Sequence, residues 1–511
     1  MGHSWKQDRS DKRIATRYAE VEGDKVKVVE YKREMSLDNI PVWKAYRMDA
    51  AHLYIDIINI SELLGSTAAE GETCHKRTLR FLNQHYRAVH RILNDAGAIR
   101  VDFHNQRLHA VVPQPYGEDS GSDRVARAVA IAKLSIDVLA ETGDDDEHIP
   151  NAKVRVGIDC GPALVVNNGR RSSREPLFLG SPANRAAHCA GGGTAEGIYL
   201  TNNARAAMGF PAVAEGKDKV TALTQAQIDK CIEEADLGIS KDKIVQAWRD
   251  EQKDHPIGAF DFVHPTPPLS DLDFEVLNAS NSKRFEGVSV YADIDGFTAF
   301  VDKHLDDNPE DLVRTLHVLR SELDAVVQAD FGGRRVRFIG DCLHGVLAEG
   351  TSQATDIEDT ISTATLCAGG LRSGFERAMT HLQGKSIDVD NLGLAIGFEL
   401  GPISLTRLGM KGGKVRCSTG RAIYRSEEEQ KRCNGTQSAI GADAYGSASL
   451  AVKEVFGAIR LAESLSYNAA VDQLNNAGDR VAKAAYTEAM QVHAPAIVSS
   501  LGDPLRPHFR G

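Results

Sequence analysis

Two stretches of this chain read as copies of one another, and that repeat limits what the chain can fold into. "LYIDIINI" (Leu53–Ile60) parallels "VYADIDGF" (Val290–Phe297), with Asp56 matching Asp293 (293 − 56 = 237). "FHNQRLHAVV" (Phe103–Val112) parallels "IGDCLHGVLA" (Ile339–Ala348), which sets Asn105 opposite Asp341 (341 − 105 = 236). "GIDCGPALV" (Gly157–Val165) parallels "GFELGPISL" (Gly397–Leu405), and "GSPANRAAH" (Gly180–His188) parallels "GRAIYRSEE" (Gly420–Glu428), both at 240 (420 − 180 = 240). Four landmarks in one order describe a domain present twice, not a solenoid array. A length of 511 residues is also too great for one ordinary core.

Local patterns repeat with the landmarks. Leu79, Leu82, Tyr86, Val89 and Leu93 follow the first strand at helical spacing, and Leu312, Leu316, Leu319, Leu323 and Val326 follow the second. Each helix leads through a glycine turn into a hairpin. Each copy therefore reads strand, helix, hairpin, helix, hairpin, helix, an α+β layout of mostly antiparallel sheet with flanking helices. The copies span residues 48–205 and 286–445. Residues 1–47 form an N-terminal extension, charged and poorly patterned, expected as strand and loop or partly mobile. Residues 206–285 form a linker, helical at "TQAQIDKCIEEADLG" and stopped by the extended "HPTPPLSDL". Residues 446–511 form a helical tail, including "AVDQLNNAGDRVAKAAY" (Ala470–Tyr486), expected to pack on the second copy.

A net charge of −11 argues against a broad nucleic-acid surface but not against a small anion in a local pocket. The 8 cysteines are scattered without a Cys-x-x-Cys pair, as in a reducing compartment. Neither a signal peptide nor an apolar run of membrane length is evident, so the expected location is the cytoplasm.

The second copy carries the sharper chemistry. A strand ending at Asp293 and a hairpin turn holding Asp341 bring two carboxylates together. Such a pair repels itself unless a cation intervenes, and oxygen ligands favour Mg²⁺ or Mn²⁺. The Ile294 carbonyl is a further candidate ligand. Asp295 reads as a turn residue. "DGFT" supplies backbone N–H groups that suit a phosphate, and Phe297 is counted there as a substrate-binding residue.

"YADIDGFTAFV" with "RRVRFIGDCLHGV" resembles the class III nucleotidyl cyclases. That resemblance implies two cyclase domains paired head to tail, with a site at their interface. One domain gives two metal-binding aspartates; its partner gives an Asn and an Arg on a helix. The second copy keeps Asp293 and Asp341 but has Tyr424 and Glu428 at the helix positions. The first copy lacks the second acid, with Asn105 read at its place, yet keeps Asn184. One complete site is thus implied, with the opposite one dead or at most regulatory. Where the family has Arg, four residues after Asn184, stands His188; Arg185 is the rival. Lys411 falls near a triphosphate-binding Arg of the family, with Arg407 as an alternative. Two divalent cations, Mn²⁺ or Mg²⁺, are the implied cofactors.

The adenine-reading Lys position is read at Val101, with Arg100 and Asp102 beside it, and the acid position is Leu177. The purine-reading pairs of the family are absent. "IPVWKAYRMDAAHLYIDI", "LGSPANRAAH" and "TPPLSDLDFEVLNASNSKRFEGVSVYADIDGFTAFV" resemble, more narrowly, the pyrimidine cyclases of bacterial Pycsar anti-phage systems. This implies a pyrimidine nucleoside triphosphate substrate, UTP before CTP, with Tyr54 and Asp102 flanking the base. The product is a 3′,5′-cyclic nucleotide that activates a separate effector protein not bound directly. The implied pairing is within one chain, with further association open. The alternatives are an adenylate or guanylate cyclase, and a silent nucleotide-binding sensor of the same fold.

Overall fold

In each sheet the two longest strands are buried on both faces, so each sheet needs two covers. The computed structural model describes residues 3–37, 40–65, 69–117, 120–144, 148–167, 176–214, 221–410 and 412–493. The chain begins with helix α1 (Gln7–Val21) and strand β1 (Lys27–Glu30). The first copy follows: β2 (Lys44–Ile57), α2 (Glu72–Asp95), β3 (Ile99–His104), β4 (Arg107–Val112), α3 (Gly121–Leu139), β5 (Val154–Asn167), β6 (Pro176–Leu179), α4 (Ser181–Gly191) and β7 (Gly197–Leu200). Helices α5 (Gln225–Ala235) and α6 (Lys241–Asp254) and strand β8 (Phe262–Val263) form the linker. The second copy repeats the scheme as β9 (Ser282–Asp295), α7 (Phe297–His304), α8 (Pro309–Ala325), β10 (Arg334–Ile339), β11 (Cys342–Leu347), α9 (Ile357–Gln383), β12 (Gly393–Leu408), β13 (Val415–Thr419), α10 (Arg421–Lys431) and β14 (Gln437–Ile440). Strand β15 (Leu461–Glu463) and helices α11 (Tyr467–Asn476) and α12 (Arg480–His493) close it.

The sheets repeat the same order. Among the described residues the first runs β3-β4-β2-β5-β6, with β1 on β2 and β7 on β5; the second runs β10-β11-β9-β12-β14-β15, with β8 on β9 and β13 on β12. Strands β2 and β9 each pair antiparallel with both neighbours, and β1 and β8 join them in parallel. One face carries Leu53, Ile55 and Ile57, which pack on the copy's own helices. The other face carries His52, Tyr54 and Asp56, or Ser289, Tyr291 and Asp293, and meets the opposite copy. Burial on both faces hides the usual alternation of a half-exposed strand.

The halves exchange parts. Leu164, Val166, Leu177 and Leu179 of the β5–β6 arm belong to the core built on α8 and α9 of the second half. Leu408, Val415 and Cys417 of the β12–β13 arm belong to the core built on α2 and α3 of the first. The flanking helices are exchanged as well. Ile14, Tyr18 and Val21 of α1 precede the first copy but pack in the second half's core. Ile244, Val245 and Trp248 of α6 precede the second copy but pack in the first, where Trp248 Nε1 donates to the Gln84 carbonyl at 3.2 Å.

Two expectations are corrected here. The N-terminal extension is a helix followed by a short strand, because Ser10, Ile14, Tyr18 and Val21 make a narrow buried stripe in an otherwise charged segment. The helical stretch near Ala470 is two helices, broken where Gly478 takes φ 91° and Asp479 accepts from Ala482 N at 3.0 Å. The tail does pack on the second half, through Tyr467, Leu474 and Ala482.

Arg13 ties α1 down. It bonds Glu322 at 2.6 Å and Asp330 at 2.8 Å, and both carboxylates are buried. Without it Asp330 keeps only Arg9, at 2.7 Å, and Glu322 only the Ser10 hydroxyl, at 2.8 Å, so a buried carboxylate loses its cation. Arg13→Ala is expected to cost roughly 3 kcal/mol in a denaturant melt, whereas an unchanged midpoint would show that Arg9 and Ser10 suffice to hold the pair.

Candidate active site

Strand register places the acidic residues. Leu343 of β11 lies opposite Ala292 of β9, so Cys342 falls beside Asp293, one step further along. Ile339 and Cys342 flank a two-residue turn in which Gly340 takes φ 60° and Asp341 follows. Asp341 therefore projects at the end of β9, next to Asp293. Burial pushes the Asp293 carboxyl up to about 6, Asp295 adds repulsion, and the Cys342 thiol partly opposes both by hydrogen bonding. Burial drives Asp341 well above the ordinary range, and the charge of Asp293 drives it in the same direction. Two desolvated carboxylates that raise each other are a donor set suited to a hard divalent cation. Among the described residues no cluster of three or more His, Cys, Asp or Glu side chains that could hold a metal ion forms.

The surrounding side chains sort the other candidates. Ile294 is buried in the core and offers only its backbone. Asp295 accepts from Gly435 N at 2.8 Å, as a turn residue does. Phe297 is buried against Phe300, so only its backbone N–H, at the start of α7, faces outward chemistry. Arg320, overlooked in the sequence, lies in α8 behind the Asp341 turn, 4.0 Å from the Phe338 ring. Burial and neighbouring Arg335 lower its pKa to about 9, while Asp341 works the other way. Its signal was a cation inside an apolar helical stripe.

The opposite wall comes from α4 of the first half. Asn184 is exposed there, and its Nδ2 donates to Thr298 Oγ1 at 2.7 Å, in the first turn of α7. The asparagine helix and the acidic half thus meet within one chain. Arg185 turns back toward its own half, with Nε 2.9 Å from Asp159 Oδ2. His188 is exposed one turn beyond Asn184 and shares its face of the helix. Tyr54 lies flat on His109, ring centroids 4.2 Å apart at 9°, and burial raises its hydroxyl pKa. Asp102 is committed to an ion pair with Arg337 of the other half.

Two cations fare differently from expectation. Arg407 is paired with Glu275 at 2.9 Å and stands twelve residues along β12 from Ala395, the partner of Asp293 (407 − 395 = 12). That is about 40 Å of strand, so Arg407 is not at the acidic pair. Lys411 lies outside the described residues.

The mirror site is closed by its own side chains, and its register corrects the sequence alignment. His104 pairs with Arg107 across the turn, as Ile339 pairs with Cys342. Asn105, at φ 52°, takes the place of Gly340, because Asn is among the few residues that tolerate that conformation. Gln106, not Asn105, stands where the second copy has Asp341, and Asp102, not Val101, lies four residues before it. Arg107 replaces Cys342 and bonds Asp56 at 2.8 Å. Asn105 Nδ2 donates to Glu427 of α10 at 3.3 Å. A guanidinium thus sits beside the surviving acid, where the other half has a thiol.

The acidic pair costs stability when no cation is bound. Both carboxyls bind protons more tightly folded than unfolded, so stability falls as pH rises from about 4 through 6. In chelator at pH 7.5, Asp341→Asn is expected to raise the melting temperature by about 2–4 °C, with the gain shrinking toward pH 4. Mn²⁺ should raise the melting temperature of the wild type and not of the variant. A variant that melts lower at pH 7.5 contradicts this electrostatic reading.

Comparison with known proteins gives a consistent picture. No family model matches the chain. A uridylate cyclase of Pseudomonas aeruginosa is 52% identical over 512 residues, covering 100% of this chain and 99% of that protein. A uridylate cyclase of a Rhizobium species is 38% identical over 440 residues, 83% of each. The crystal structure of a class III adenylyl cyclase-like ATP-binding protein from Pseudomonas aeruginosa is 54% identical, with a TM-score of 0.90, covering 93% of this chain and 100% of that one.

Proposed function

The chain belongs to the class III nucleotidyl cyclases, together with the two uridylate cyclases, and from that premise we propose that it converts UTP to 3′,5′-cyclic UMP and pyrophosphate. The observation that carries this reading is the contact of Asn184 with Thr298, which sets the asparagine helix of one half against the acidic strand end of the other. The names of the relatives support a pyrimidine, and UTP in particular.

Asp293 and Asp341, with the Ile294 carbonyl, would hold the two divalent cations, Mg²⁺ or Mn²⁺. When bound, these supply activation of the ribose 3′-hydroxyl and neutralisation of the leaving pyrophosphate. Asn184 orients the ribose by hydrogen bonding. His188, on the same helix face, faces the charge that grows on the α-phosphate, since Arg185 is held by Asp159. The free N–H groups at the start of α7 receive phosphate oxygens. The 3′-oxygen forms its bond to the α-phosphorus, the bond from that phosphorus to the α,β-bridging oxygen breaks, pyrophosphate leaves with that oxygen, and the hydroxyl proton passes to solvent water. Both reacting groups belong to one molecule, so positioning supplies much of the rate. Tyr54, fixed flat on His109, walls the base side.

The resemblance to the Pycsar cyclases extends the proposal to anti-phage defence, with the cyclic nucleotide acting on a separate effector in the cytoplasm. Among the described residues no helix is long and apolar enough to cross a membrane.

Incubation with Mn²⁺ and each of the four ribonucleoside triphosphates, followed by mass analysis, is expected to yield cyclic UMP as the main product. ATP belongs in that set because one solved relative is named as ATP-binding. Asp341→Ala should abolish turnover, while Asp56→Ala should lower melting temperature and leave turnover per folded molecule intact. No cyclic product from any triphosphate would favour the silent sensor, and equal loss in both variants would contradict the division of labour between the halves.

A further inference from the structure

The helix carrying Asn184 starts without a cap of its own. Its N-cap is Gly180, which has no side chain to offer, and no side-chain cap bond is made there. The other half meets this end instead. Ser181 Oγ lies 2.6 Å from each carboxylate oxygen of Asp302 in α7. Asp302 is one turn beyond Thr298, which accepts from Asn184. Positions 181 and 184 share a face of α4, and positions 298 and 302 share a face of α7. The two helices therefore touch through two rungs, Ser181–Asp302 and Asn184–Thr298. The second rung holds the residue read above as orienting the ribose.

The mirror contact gives an independent observation. Helix α10 also starts after a glycine, Gly420, without a side-chain cap from its own half. Glu70 of the first half caps it: Arg421 N donates to Glu70 Oε1 at 2.7 Å. That carboxylate also contacts His75 Nε2 at 2.8 Å, and its side chain is only 5% exposed. Arg284 donates to the Glu70 carbonyl at 3.0 Å, and Arg421 donates to the Leu64 carbonyl at 2.6 Å. Each interface helix thus takes a carboxylate from the opposite half at its start. On the closed side the contact is buried and held from several directions. On the open side Asp302 and Asn184 are exposed, and Asp302 holds α4 through the Ser181 hydroxyl, next to the buried Leu177 and Leu179 of the β5–β6 arm. An exposed contact of this kind contributes little stability, so its loss leaves the fold in place.

We propose that Asp302 is a positioning residue, which latches the start of the Asn184 helix onto the acidic half. This rests on the cyclase reading. The pull of Asp302 on Ser181 fixes the first turn of α4, and so fixes where Asn184 points. Asp302 touches no reacting atom in this account; it acts through Asn184.

The test is a double-mutant cycle on the full chain, with UTP and Mn²⁺. Asp302→Ala is expected to lower kcat about tenfold with KM moving less than about twofold. Its melting temperature should stay within about 2 °C of wild type, because the contact is exposed. Mn²⁺ binding, followed by paramagnetic resonance, should not change. In the Asn184→Ala background, Asp302→Ala should add less than about a twofold loss, since the route through Asn184 is already cut. Glu70→Ala should instead lower the melting temperature, by stranding His75 and the start of α10. Wild-type kcat in Asp302→Ala overturns the proposal, as does an undiminished loss in the Asn184→Ala background. Asp341→Ala in the same assay separates the two readings. Loss there with none in Asp302→Ala overturns the latch alone, and no cyclic product from the wild type overturns the cyclase reading together with the latch.

Discussion

Each sheet of this protein has a second face that only the other half can cover. The β5–β6 and β12–β13 arms cross to complete the opposite cores, and α1 and α6 do the same from outside the repeats. Neither half keeps a full set of its own packing partners. The polar faces of β2 and β9 are therefore forced together, with His104, Tyr291 and Asn105 meeting across the seam. The contact of Asn184 with Thr298, in the helix that follows the acidic strand end, follows from that exchange.

Duplication then allowed the two ends of the seam to diverge. At one end, two half-buried carboxylates raise each other's pKa. At the other, Arg107 supplies a permanent cation to Asp56, and Gln106 has removed the second charge. The same backbone hairpin serves both, since Gly340 and Asn105 reach the same left-handed conformation. One end keeps two carboxylates side by side; the other carries a single acid whose charge is matched by a guanidinium.

Much of this was legible in the sequence. The repeat and the order of elements in each copy follow from landmarks spaced at nearly constant offset, and the meeting of Asn184 with the acidic half was implied by the resemblance to the class III cyclases. The alignment failed by one residue at Asn105, because a turn is matched by backbone conformation and not by side-chain likeness. The N-terminal helix was missed because its buried stripe is one residue wide per turn. The exchange of α1 and α6 left no local signal, since a helix pattern records that a face is buried and not by which half. Arg185 looked free in sequence because Asp159 lies on a different element, 26 residues away (185 − 159 = 26).

The central claim is that one chain carries one complete site, with the acids from its second half and the asparagine from its first. Mixing two inactive chains, Asp341→Ala and Asn184→Ala, tests it most directly. If the halves pair within each chain, the mixture turns over no more UTP than the two variants measured separately. Recovery of substantial turnover on mixing would mean that acids and asparagine come together between chains, and would contradict the account.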